Sequence, residues 1–174
     1  MNMIKYYVGF FQNKNRCNPF ARSIEWAEKT NYSHVEILAV ADDNIDEAWC
    51  YGSVFPKSRS TPLSKMKEHY ELKLIIPLTL KVSPEKADAI LEQMMGEIYS
   101  FGQIFIIGFK ILFHKSIGWL NTSKLNLSKF LICTEVAGLF MQEACSYDIG
   151  ISAETLTLGE VKEIALMGLL KDEA

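Results

Sequence analysis

No stretch of this sequence is apolar for long enough to cross a bilayer. The most apolar run, Phe101–Phe113, is about 13 residues long and is interrupted by Gln103 and Lys110, whereas a spanning helix needs roughly 20 residues. An integral membrane segment is therefore not expected. An excess of one charge is also lacking: 18 Lys and Arg stand against 21 Asp and Glu, for a net charge of −3. With a pI near 5.7, no whole-protein basic field attracts nucleic acid or anionic lipid. The four cysteines, Cys17, Cys50, Cys133 and Cys145, form no CxxC pair and no Cys/His cluster. That excludes a structural zinc site of the usual spacing and a small disulfide scaffold. The first residues, MNMIKYYVGFFQNKNRC, hold only a short apolar run broken by Gly9 and Gln12, which does not make a signal-peptide core. Free thiols and a cytoplasmic, reducing location are the expectation. Repeats and low-complexity runs are missing as well, and there are only three histidines: His34, His69 and His114.

What is present is enough for one domain, 1–174, with a real core: 174 residues, 49% hydrophobic and 22% charged, with a mean hydropathy of +0.06. Ile4–Phe11, β-branched and aromatic, reads as a first strand, and Phe20–Lys29 as a short amphipathic helix. Ser33–Val40 alternates as a strand. Asp42-Asp43-Asn44 supplies a turn, and Ile45–Cys50 is expected to return as its hairpin partner. Gly52–Pro62 reads as a long surface loop, Leu63–Glu68 as one helical turn, and Tyr70–Leu78 as another strand. Ser83-Pro84-Glu85 then provides an N-cap, a proline at the first helical position and an early acid. Ala87, Ile90, Leu91, Met94 and Ile98 are the buried stripe of the helix that follows. A second helix is expected over Phe101–Phe113, a loop over His114–Ser128, and a last helix from near Cys133 towards Ala144. Strands first and helices afterwards give an α+β domain, a small antiparallel sheet packed against helices.

Two residues stand out chemically. His34 opens a strand, which can aim an imidazole rigidly, and alternation puts Glu36 on the same face. Cys133 precedes Thr134-Glu135 and an apolar helical run, so its sulfur sits at a helix N-terminus, where unpaired N–H groups and the macrodipole favour a thiolate. With a histidine in reach, such a thiolate is a nucleophile. The plainer reading of Cys133 within KFLICTEVAGLF is a small apolar core residue. His69, in a Glu-His-Tyr-Glu context, and His114, beside Lys115, read as surface or structural residues.

Taken in order, Ser33-His34-Val35-Glu36-Ile37, Asp46-Glu47-Ala48, Tyr99-Ser100-Phe101 and Ile132-Cys133-Thr134-Glu135-Val136 resemble the circularly permuted branch of the NlpC/P60 papain-like superfamily. In that branch the histidine strand precedes the cysteine helix. Its relatives include YiiX-like bacterial proteins, phage-encoded hydrolases and the lecithin:retinol acyltransferase group. The resemblance runs from about Ile4 to Thr157. It implies a permuted papain-like fold with Cys133 as nucleophile, His34 as general base and Glu47 as the polar residue orienting the imidazole. Glu36 is the rival orienter. Tyr99 matches a tyrosine ahead of the next helix, with lining the cleft, helping position an oxyanion and plain packing as its alternative roles, and Glu135 matches a glutamate of the first helical turn. Thr134 stands where relatives have serine, Ser100 where they have aspartate, and Phe101 where they have tryptophan.

The function so implied is a cysteine-dependent hydrolase, a peptidase or amidase, cleaving an amide or ester through a thioester, with backbone N–H groups near Cys133 as oxyanion hole. The substrate would be a peptide, an isopeptide or an acyl lipid, with no cofactor and no metal. The alternatives are a lipid acyltransferase or thioesterase of the same fold, with Phe101–Phe113 as an acyl-binding wall, or a noncatalytic binding module.

Overall fold

The structure, a computed structural model, describes residues 4–54, 56–99, 130–150, 153 and 156–172. The expected helix over Phe101–Phe113, the loop over His114–Ser128 and His114 itself lie outside the described residues.

The chain runs β1 (Ile4–Asn13), α1 (Pro19–Glu28), β2 (His34–Ala41), a 3-10 turn (Ile45–Glu47), β3 (Trp49–Val54), β4 (Lys57–Pro62), α2 (Leu63–His69) and β5 (Tyr70–Leu78). It continues through α3 (Pro84–Met94), β6 (Ile98–Tyr99), β7 (Phe130–Leu131), α4 (Cys133–Cys145) and α5 (Leu158–Asp172). The sheet order is β5-β1-β2-β3-β4-β6-β7. Neighbours from β5 to β6 are antiparallel, and the two-residue strands β6 and β7 pair in parallel. The architecture is α+β, with five antiparallel strands forming the body of the sheet.

The central strands β1 and β2 are buried on both faces, so they read as apolar runs rather than strict alternation. On one face Tyr6, Val8, Phe10, Val35 and Ile37 pack against α3, α4 and α5. On the other, Phe11, Leu38, Val40 and Cys50 pack against Leu63 and Met66 of α2. Phe10 and Phe11, adjacent in β1, face opposite cores by strand alternation, and the β1–β5 register shifts between them, with Lys73 of β5 as the extra residue.

Local chemistry explains the helix ends. Asn18 accepts hydrogen bonds from the Phe20 and Ala21 backbone N–H groups, Pro19 follows it, and Lys29 closes α1 in the left-handed region at φ 53. Ser83 and Pro84 start α3 as expected, but the helix stops at Met94. Met95 is extended and Gly96 takes φ +92, a turn that leads the chain into β6. Ile98 therefore belongs to the sheet and not to the α3 stripe.

The hairpin after β2 also differs from expectation. Asp42 and Asp43 both adopt positive φ, 53 and 59, and make the turn, but residues 45–47 coil as a 3-10 turn and β3 begins only at Trp49. The segment expected as a long loop, Gly52–Pro62, forms the end of β3 and all of β4. Lys57-Ser-Arg-Ser-Thr-Pro lacks the apolar residues that mark a strand. It is one because its backbone pairs with β3 from Trp49↔Pro62 to Val54↔Lys57 and because Ser58 exchanges backbone hydrogen bonds with Glu97 and Gly96 on its other side. Helix α5 has no counterpart among the expected elements. Its inward residues Leu158, Val161 and Ala165 are diluted by exposed Leu166, Met167 and Leu170, which blurs its period.

Candidate active site

Strand β2 pairs with β1 along its whole length, down to His34 opposite Phe11. Its pairing with β3 covers only Ile37–Ala39 against Tyr51–Trp49. The sheet therefore opens between β2 and β3 at the His34 end. Into this opening come His34 and Ser33, Ser53 and Val54 from β3, and Cys133 with Thr134 at the start of α4, all lining one cavity of about 240 Å³.

Cys133 is the first residue of α4 and follows Ile132, whose side chain gives the helix no cap. The thiol thus sits in the first turn of an uncapped helix, at its positive end. It is partly buried and lies within hydrogen-bonding reach of His34. His34 is 6% exposed and its Nε2 is 2.8 Å from Glu36 Oε1. With Nε2 engaged by the carboxylate, Nδ1 is the nitrogen left to the thiol. Burial opposes a positive charge on His34, but the Cys133 sulfur and then the Glu36 carboxylate outweigh it, and His34 is held well above the usual histidine value. Phe11 and Tyr70 flank the ring, with centroids 6.4 and 5.4 Å away.

Glu36 is itself 2% exposed. A carboxylate this deep needs a charged or donating partner, and His34 two positions along the same strand face is that partner. The buried Cys50 thiol lies against the same carboxylate, and burial together with the Glu36 charge pushes that thiol up. Room for Glu36 exists because β3 carries glycine opposite it. A Cβ on Gly52 would sit 2.5 Å from Glu36 Cγ and 2.8 Å from Cδ.

Of the residues singled out from sequence, the fold brings together Cys133, His34 and Glu36, and it does not bring Glu47 to the imidazole. Glu47 is exposed in the 3-10 turn. Extending the register Ala39↔Trp49 puts Glu47 near Ala41, at the other end of β2 from His34 and on the order of 20 Å away at about 3.3 Å per residue. The expectation for Glu47 assumed a hairpin returning directly. The polar element across from His34 is instead the Gly52–Val54 end of β3. For Tyr99, the backbone lies in β6 beside β7, and no side-chain role is assigned. His69 ends α2 at an exposed position.

Gly52, Ser33 and Thr134 were not legible as site residues. Glycine within a polar segment signals a turn more often than a clearance, and Ser33 reaches the cavity only because it precedes the first paired residue of β2, where strand alternation has not begun. Thr134 had a signal in its adjacency to Cys133. The cavity wall is otherwise mainly apolar, with Phe20, Ala21 and Ile24 from α1 and Ile132, Leu156 and Leu158 from the segments around α4 and α5. At its rim, Glu28 accepts from the backbone N–H groups of Leu158 (3.2 Å) and Gly159 (2.9 Å), so this carboxylate ties α1 to the start of α5. Among the described residues no group of three or more His, Cys, Asp or Glu side chains is arranged to hold a metal ion, and no helix is long and apolar enough to cross a membrane.

No protein-family model, no curated protein and no solved structure matches this chain.

Proposed function

We propose that the protein is a cysteine-dependent hydrolase acting on an amide or ester, with Cys133 as nucleophile, His34 as general acid and base, and Glu36 orienting the imidazole. The observation that carries this reading is the meeting of a partly buried thiol at a helix N-terminus with a buried imidazole whose far nitrogen is held by a carboxylate. This is the arrangement of nucleophile, base and orienting acceptor that covalent catalysis needs. The order of a histidine strand before a cysteine helix, over an antiparallel sheet, supports a circularly permuted papain-like fold of the NlpC/P60 type. Among the described residues no two cysteines are joined in a disulfide, and the reading assigns the protein to a reducing, cytoplasmic setting.

In the reaction so read, the Cys133 thiolate attacks the carbonyl carbon while His34 carries the proton. The bond to the leaving group breaks as the imidazolium hands that proton over, leaving a thioester and neutral His34. His34 then takes a proton from water as the water oxygen attacks the thioester. The carbon–sulfur bond breaks, the acid departs, and the thiolate–imidazolium pair returns. Backbone N–H groups at the start of α4 face the developing oxyanion.

The test is thiol reactivity. At about pH 6 an ordinary thiol is almost wholly protonated, so iodoacetamide should modify Cys133 well ahead of exposed Cys17, and His34→Ala should abolish that lead. Equal rates at Cys133 and Cys17 in the native protein would favour a noncatalytic binding module.

A further inference from the structure

Among the described residues, two side-chain hydroxyls in the cavity have no hydrogen-bond partner. Ser33 Oγ and Thr134 Oγ1 are each buried, at 7% and 4% residue exposure, and neither meets a donor or acceptor of the described residues. Both residues line the same cavity as His34 and Cys133. One immediately precedes the imidazole in sequence and the other immediately follows the thiol, so they bracket the dyad. Buried hydroxyls are almost always satisfied, and an unpaired one costs stability. Two unpaired in one cavity, beside a nucleophile, are donors kept for something that enters it.

The rest of the wall indicates what enters. Phe20, Ala21, Ile24, Leu156 and Leu158 make it mainly apolar beside the uncharged Asn13 and Asn18, and among the described lining residues there is no Lys or Arg to receive an anion. The one carboxylate at the rim, Glu28, is engaged by the N–H groups at the start of α5. A cavity of about 240 Å³ exceeds the roughly 150 Å³ of an engineered apolar cavity that binds benzene, so a short aliphatic or aromatic group fits.

We propose that Ser33 and Thr134 donate their hydroxyl hydrogens to the carbonyl oxygen of the acyl group transferred to Cys133, and that the cavity seats the uncharged apolar substituent of that carbonyl. This rests on the hydrolase reading above and extends it. The helix N–H groups and the hydroxyls together surround the oxygen as charge develops on it. Thr134, as the second residue of α4, is fixed by the helix, and Ser33 is fixed by the hydrogen bond from its backbone N–H to the Phe11 carbonyl, 2.9 Å. Neither donor needs to reorganise when the tetrahedral intermediate forms, which is what makes such donors effective.

The experiment compares two reactions of the same thiol. Iodoacetamide alkylates sulfur by displacement at a saturated carbon and forms no oxyanion. p-Nitrophenyl butanoate acylates it through a tetrahedral intermediate that does, releasing p-nitrophenolate. Thr134→Val, close to isosteric, and Ser33→Ala are each expected to slow acylation by about 10²-fold while leaving the alkylation rate of Cys133 unchanged, and Thr134→Ser is expected to restore acylation. The p-nitrophenyl monoester of succinic acid, similar in length but ending in a carboxylate, should acylate at least about tenfold more slowly than the butanoate. Unchanged acylation in Thr134→Val and Ser33→Ala would overturn the proposal and leave the dyad standing. Parallel losses of acylation and alkylation would also overturn it, since the hydroxyls would then serve only to hold the dyad in place. If native Cys133 is neither acylated nor selectively alkylated, the hydrolase reading itself fails and takes this assignment with it.

Discussion

Adding a single methyl group at Gly52 tests whether Glu36 holds the imidazole by position. In Gly52→Ala the new carbon would lie 2.5 Å from Glu36 Cγ and 2.8 Å from Cδ, against a favourable carbon–carbon separation of about 3.5–4.0 Å. The glutamate must therefore shift by roughly 1 Å or more, and the 2.8 Å contact between Glu36 Oε1 and His34 Nε2 then lengthens beyond hydrogen-bond range. Escape is restricted, because Glu36 is 2% exposed and packed against Cys50. Overpacking of this kind costs about 1–3 kcal/mol, or roughly 2–12 °C in melting temperature for a chain of this size. Misplacing a catalytic group by about 1 Å costs about 10²-fold in rate. The assay follows iodoacetamide modification of Cys133 and acylation by p-nitrophenyl butanoate, beside a thermal melt followed by circular dichroism. A Gly52→Ala protein that melts within a degree or so of the native one and reacts at the native rate would refute the reasoning, because Glu36 would then have found room without losing His34.

Glu36→Gln should slow acylation strongly, whereas Glu47→Gln, at an exposed position remote from His34, should leave it within about twofold; the reverse ranking would return the orienting role to Glu47. Because Cys133 and Glu36 are what raise His34 above its usual value, both Cys133→Ala and Glu36→Gln should lower the pH at which the His34 ring titrates by NMR, and an unmoved midpoint in both would refute that electrostatic account. A histidine whose folded value is raised stabilises the fold fully below its unfolded value of about 6.5. That contribution fades as pH climbs from there through the raised folded value, so denaturant midpoints should fall over that window in the native protein and fall less in His34→Ala. Removing the α1 cap with Asn18→Ala, which deletes the acceptor for the Phe20 and Ala21 N–H groups, should cost about 1 kcal/mol by urea titration and loosen the cavity wall that Ala21 and Ile24 form.

The sequence by itself determined the ends of the site. A β-branched strand opening on His34 and an apolar helix opening on Cys133 follow from local period and composition, as do α1 and α3, the latter with its Ser83 cap. Strand alternation also put Glu36 on the face of His34, because residues two apart in a strand share a side whatever the rest of the chain does. What depended on pairing was not legible. The polar strand β4 exists through hydrogen bonds to β3 and to the segment after α3, which its own residues do not announce. The length of the 3-10 turn decided that Glu47 falls at the far end of β2, and a shift of a few residues in hairpin register moves a side chain by many ångströms along the strand. Only the tertiary structure opened the sheet between β2 and β3, set Gly52 against Glu36, and buried Ser33 and Thr134 beside the thiol with no partner among the described residues. Those are contacts between residues far apart in the chain, fixed by how two sheet faces fill their cores and carried by no local pattern.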